Sequence, residues 1–179
     1  RYKSEFDFSL HTNQSMPQTA LAAAEALVKY GMTKTPGTGP IDVGIVEDLG
    51  GISVMRGGGN RRAWNGIQYL QGMSAKNVGS TSLSINVATV PPGGIAYAHI
   101  HEGFEVMLFV LQGKVKHTFG ENLEKEVINQ AGDFIYIKPG VPHEVFNIGE
   151  EELVVFVARS TADEWDKIVN YPSRYRPAE

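Results

Sequence analysis

The sequence predicts an all-β fold, a small barrel or antiparallel sandwich, on two observations. From Ile41 onward the chain is a succession of short segments rich in Val, Ile, Phe and Tyr: IDVGIV, GISVM, GIQYL, TSLSINVATV, FEVMLFVL, KVKHTF, KEVINQ, DFIYI, HEVFNI and ELVVFVA. Gly, Pro, Asn or Asp breaks them at near-regular intervals, the pattern of consecutive antiparallel strands. The second observation is length, since 179 residues bury one sizeable core and make a second domain improbable.

The elements follow in order. Residues 1–40 form an N-terminal extension with a helix at about 16–30. Ser15 and Gln18 fit a capping box, Pro17 lies in the first turn and Gly31 suits the C-terminal cap. Ala20, Leu21, Ala24, Leu27 and Val28 share its apolar stripe, a surface for packing against the barrel or a partner subunit. GMTKTPGTGP is a linker or wrapping loop. The barrel occupies 41–160. Within it, RGGGNRRAWNG at 56–66 lacks the Gly-Lys-Ser/Thr ending of a phosphate-binding loop and reads as a surface loop. Thr161 with Glu164 suggests a second capping box, so residues 161–179 are expected to hold a short helix through Val169 and the tail YPSRYRPAE.

Composition excludes several functions. A net charge of -4 with a single Arg61-Arg62 doublet gives no footprint for nucleic acid. No apolar run approaches the roughly 18 residues of a membrane span, and RYKSEFDFSLHTNQS is too polar for a signal sequence. A cytoplasmic location is expected; because the chain starts at Arg1, an exported mature chain stays open. The absence of cysteine removes disulfides, thiolate ligands and a cysteine nucleophile, leaving histidine and carboxylate as metal ligands.

Three of the five histidines form a pattern. His99 and His101 are separated by one residue, so in a strand both imidazoles point to one face. Glu105 follows the turn residue Gly103 and offers an oxygen; Glu102 is the reserve candidate. His143 comes just after KPGVP, where Pro and Gly can fix it at a strand start. Three imidazoles and one carboxylate suit one divalent Fe, Mn, Ni, Co or Zn ion better than Mg or Ca, with positions left for water or substrate.

These residues also carry a resemblance. GGIAYAHIHEGFEVMLFVLQG at 93–113 resembles the first motif of the cupin superfamily, G-x5-H-x-H-x3-4-E-x6-G, and GDFIYIKPGVPHEVFN at 132–147 resembles the second, G-x5-P-x-G-x2-H-x3-N. The likeness spans roughly residues 45–160. It implies a double-stranded β-helix, or jelly-roll, with His99, His101, Glu105 and His143 as metal ligands and Gly93, Gly113, Gly132, Gly140 and Asn147 as scaffold. Two positions depart from the pattern. Lys138 replaces the motif proline, with Pro139 next to it, and seven residues instead of six separate Glu105 from Gly113. Counted back from the glycine, Val106 takes the glutamate register, so Glu105 faces the metal only if a bulge or shifted turn absorbs one residue.

Beyond the metal, Val115, His117 and Phe119 alternate with polar residues, which, if the apolar face is inward, turns His117 into the barrel as a candidate acid or base, the alternative being an exposed or backbone-bonded histidine. One face of Phe134 to Ile137 should line the cavity, while Trp64, Gln68 and Tyr69 close one end or pack in the core. Met107, Phe109 and Leu111 and their alternates Leu108 and Val110 are apolar on both faces, so that strand is covered twice and a homodimer is expected. The expected function is a metal-dependent enzyme acting on a small oxygenated or aromatic substrate, with dioxygenase chemistry ahead of decarboxylase, lyase or isomerase. The alternative is a non-catalytic ligand- or metal-binding protein acting as a sensor or accessory.

Overall fold

The computed structural model describes residues 46–163, 165 and 167–177. The helix expected at about 16–30, with the rest of the N-terminal extension, lies outside the described residues. In chain order the strands are β1 (Val46–Asp48), β2 (Ser53–Met55), β3 (Arg61–Trp64) and β4 (Ile67–Gln71). A short helix α1 (Ala75–Val78) follows, capped by Ser74. Next come β5 (Ser84–Val90), β6 (Ile95–His101), β7 (Val106–Gln112), β8 (Lys114–Phe119) and β9 (Lys125–Gln130). The last are β10 (Phe134–Ile137), β11 (His143–Asn147), β12 (Leu153–Arg159) and β13 (Ile168–Asn170).

Every pairing is antiparallel. A six-stranded sheet runs β10-β7-β12-β5-β4-β3, a five-stranded sheet runs β13-β6-β11-β8-β9, and β1 and β2 form a separate hairpin. The two large sheets enclose the core, to which Tyr69, Val106, Val110, Leu153 and Val157 contribute from one and Ala96 and Val115 from the other. Alternation explains the arrangement. In β12 Leu153, Val155, Val157 and Arg159 are buried, while the residues between them are only partly so. Each fully buried aliphatic side chain of this kind stabilises the fold by about 1.5–3 kcal/mol.

Two connections depend on glycine. Asn65 and Gly66, at φ 55° and 81°, make the two-residue turn that joins β3 to β4. A Cβ on Gly66 would lie 2.0 Å from the Ile95 carbonyl oxygen, so the turn seats against β6 only with glycine. Gly113, at φ 90°, separates β7 from β8 and carries the chain from one sheet to the other.

The structure corrects the expected loop at 56–66, because Arg61–Trp64 is a strand paired with β4. Where a short helix was expected through Val169, the described residues hold β13, paired to the edge of β6 with Asn170 opposite His99. No helix among the described residues is long and apolar enough to cross a membrane.

The outer face of the six-stranded sheet is apolar as well. Register places Phe134, Phe109, Phe156, Val87 and Leu70 in one row across five strands. Phe134 is 81% exposed, and Met107 and Leu111 beside it are also exposed.

Candidate metal centre

His99 and His101 enter the cavity from β6, and His143 enters from the first position of β11, opposite His99. One feature of β6 aims them. Between His143 and Val145 the partner advances from His99 to Ala96, so three residues of β6 answer two of β11. This bulge places an extra residue within Tyr97–Ala98, and as a result Ala96 and His99 both line the same cavity despite their odd spacing. The turn before β11 is tied down by the Gly140 N–H, which donates to the His101 carbonyl at 2.8 Å.

The three imidazoles form a compact group. Ring centroids lie 4.4 Å apart for His99 and His143, 5.0 Å for His99 and His101, and 5.1 Å for His101 and His143. One nitrogen from each lies within 4.8 Å of the others, a spacing that can hold a metal ion. Backbone carbonyls select the tautomers. His99 Nδ1–H donates to Tyr97 O at 2.8 Å and His143 Nδ1–H to Val141 O at 2.9 Å, which leaves each Nε2 with a free lone pair. His101 Nδ1 is buried with no hydrogen-bond partner among the described residues. Burial is the first cause that holds His99, His101 and His143 below the ordinary imidazole range, so all three are neutral at neutral pH. Neutral nitrogens sharing one cavity fit a divalent transition ion.

A second layer braces His99. The Asn65 amide donates to Tyr97 O, and Arg176 in turn donates to Asn65 Oδ1 at 2.7 Å and to Ala98 O at 2.8 Å. Trp64 meets the His99 ring edge-on at 5.6 Å, and Phe104 lies 5.1 Å from His101. Trp64 and Tyr69 thus pack around the site, with Tyr69 buried in the core.

The carboxylate expected from Glu105 is not in this group. Glu105 is exposed, and its carboxylate accepts the Tyr136 O–H at 2.6 Å on the outside of the barrel. Val106 points inward instead, 2% exposed, between Ile137 of β10 and Arg159 of β12. The register counted from Gly113 therefore prevails. β7 does contain an irregularity, but it falls between Val110 and Gln112, beyond the point where it could turn Glu105 inward. Glu102 is exposed too.

His117 faces the barrel interior as its alternation predicts. It is buried, both ring nitrogens lack a partner among the described residues, and burial, followed by the neighbouring His143, pushes it down to about 3. It lines a cavity of about 70 Å³ together with the three histidines, and also an adjoining outer pocket of about 260 Å³ that it shares with His143. Phe119, Tyr136 and Lys138 help to wall the outer pocket.

Sequence reasoning missed Arg159, which lines the inner cavity at 3% exposure and donates to Asn86 Oδ1. Its signal was present in LVVFVAR, where Leu153, Val155, Val157 and Arg159 share one face at period two.

Comparisons with known proteins agree with this architecture. The family model for a cupin domain matches residues 86–159, which carry β6 to β12 and all four buried histidines. No curated protein matches the sequence. A structure of an oxalate decarboxylase superposes with a TM-score of 0.53 at 24% identity, covering 60% of this chain and 29% of that one. A structure of Bacillus subtilis oxalate decarboxylase, studied for its Mn(II) centres, gives 0.53 at 23% identity over the same shares. The cupin domain of Schizosaccharomyces pombe Cnp3 gives 0.49 at 16% identity, covering 57% of this chain and 68% of that one. This chain spans less than a third of the length of the oxalate decarboxylases it matches, and the likeness to them is one of fold. Residues 86–159 match the cupin domain model, and the paired antiparallel sheets that hold them have the fold this match implies.

Proposed function

We propose that this chain is a metal-dependent enzyme acting on a small oxygenated or aromatic compound, with dioxygenase-type chemistry the foremost reading. The observation that carries it is the convergence of three neutral imidazoles, two with their Nδ1–H groups engaged by backbone carbonyls, in one apolar cavity. His99, His101 and His143 would hold one Fe, Mn, Ni, Co or Zn ion. Such an ion, when bound, supplies Lewis acidity toward a substrate oxygen and, in the case of iron, access to dioxygen chemistry.

The remaining residues account for binding and proton handling. Val106, Leu108 and Val115 keep the inner cavity apolar, and water excluded there strengthens every polar contact a substrate makes. Room for one water needs roughly 10–15 Å³, so a cavity of about 70 Å³ admits only a compact molecule. His117 stands where the inner cavity meets the outer pocket. Being neutral, it offers a lone pair to a substrate proton at this junction. Replacing His117 with glutamine is expected to leave metal content unchanged and to lower turnover by about 100-fold. Oxygen uptake by iron-loaded protein over a panel of small carbonyl, hydroxy and aromatic acids makes the measurement. Full turnover in the variant would remove His117 from the chemistry. Binding of panel members with no turnover in the wild type would favour the sensor or accessory reading.

Homodimerisation belongs to the same proposal, supported by the exposed Phe134, Met107 and Leu111 on the outer sheet face, since contiguous exposed apolar area marks an interface. Light scattering is expected to give twice the monomer mass, with Phe134→Lys shifting it to the monomer. A monomeric wild type at micromolar concentration would contradict this.

A further inference from the structure

Charge in the inner cavity points to the class of substrate. Among the described residues that line it there is no carboxylate, and the one charged side chain is Arg159. The superfamily's glutamate register is filled by Val106, and Glu105 bonds to Tyr136 on the outside. A divalent ion on three neutral imidazoles would therefore keep its full double charge in apolar surroundings, where an uncompensated charge is strongly disfavoured. Arg159 lies directly opposite Val106 on the neighbouring strand, so the guanidinium and the missing carboxylate's place share one face. Arg159 and the three histidines line the same cavity.

We infer that the cavity takes a small organic anion, a short carboxylate with an oxo or hydroxyl oxygen on the adjacent carbon, whose oxygens supply the charge Val106 does not and whose carboxylate is met by Arg159. The inference rests on the proposed metal centre. The cavity volume of about 70 Å³ favours a compact molecule, and guanidinium is suited to a planar carboxylate because its donors form a matching fork.

The test uses the full chain loaded with Co(II), whose visible absorption reports changes at the ion without any turnover. Pyruvate is the probe, and methyl pyruvate is the neutral control of nearly the same shape. Pyruvate is expected to shift the spectrum and to bind at least about tenfold more tightly than the ester. Val106→Glu restores the carboxylate, and is expected to raise Co(II) affinity and weaken pyruvate by about tenfold or more, whereas Val106→Gln, of equal size and no charge, changes pyruvate binding by less than about threefold. Arg159→Gln is expected to weaken pyruvate by about tenfold at unchanged Co(II) stoichiometry. Equal binding of pyruvate and its ester, or no spectral response to either in Co(II)-loaded protein, overturns the anion inference and leaves the metal centre standing. Failure to take up Co(II) at all overturns both. If the variants do not fold, the comparison of acid with ester in the wild type still decides.

Discussion

Replacing His143 with alanine is expected to weaken divalent metal binding by more than about 100-fold, because changes in outer-shell partners alone cost about 10–100-fold and this change removes a donor. His143 is one of three nitrogens within 4.8 Å of one another, and its ring is fixed by the bond from Nδ1–H to Val141 O. Loss of the ring leaves two donors and a void beside His99. The contrast is Glu105→Ala. Its carboxylate sits on the outside with Tyr136, so metal affinity should stay within about threefold of wild type, a change below 1 kcal/mol. Competition titrations with a chromogenic chelator give both numbers. A large loss in the Glu105 variant together with a small one in the His143 variant would make Glu105, and not His143, a metal ligand.

Acid should unfold the metal-free protein early. His99, His101, His117 and His143 are buried, and all four are held below the ordinary value of 6.5, chiefly by burial. In the unfolded chain each regains a value near 6.5 and takes up a proton below it, while the folded chain does not. The unfolded state then binds more protons, so stability is full above about pH 6.5 and falls as pH drops toward the folded values. For His117 the loss continues to about pH 3. Between pH 7.5 and 5.5 a histidine held well below that range contributes about 1.4 kcal/mol of loss, so His99, His101 and His117 together remove about 4 kcal/mol and His143 adds to it, a large part of the stability of a typical domain. Urea unfolding of chelator-treated protein at the two pH values measures it, and His117→Gln should reduce the difference by about 1.4 kcal/mol. Equal stability at both values would mean that these rings are not buried as bases.

Much of the centre is legible in the sequence, and the exceptions have physical causes. The i, i+2 spacing of His99 and His101 marks a shared face, and KPGVP marks the turn that delivers His143. The bulge at Tyr97–Ala98 is not legible, since an extra residue leaves no mark in composition; only the pairing of β6 with β11 reveals it. Glu105 stood on a conflict between two counts, one from His101 and one from Gly113. The second count prevailed because Val106 must pair inward with Ile137 and Arg159, and a one-residue slip would turn the whole apolar face of β7 outward. β3 was hidden by its glycine- and arginine-rich setting, although Asn65-Gly66 is a hairpin signal. The end of the chain looked like a capped helix, but Ile168–Asn170 instead supplies a partner to the edge of β6, a demand that arises only once the sheet exists.

The central claim is that His99, His101 and His143 hold a metal. Elemental analysis of protein purified without chelator or metal-affinity resin, beside His101→Ala at matched concentration, tests it most directly. Close to one equivalent of Fe, Mn, Co, Ni or Zn is expected in the wild type, with its loss in the variant. Absence of metal from both proteins, even after reconstitution, would contradict it and leave a ligand-binding barrel.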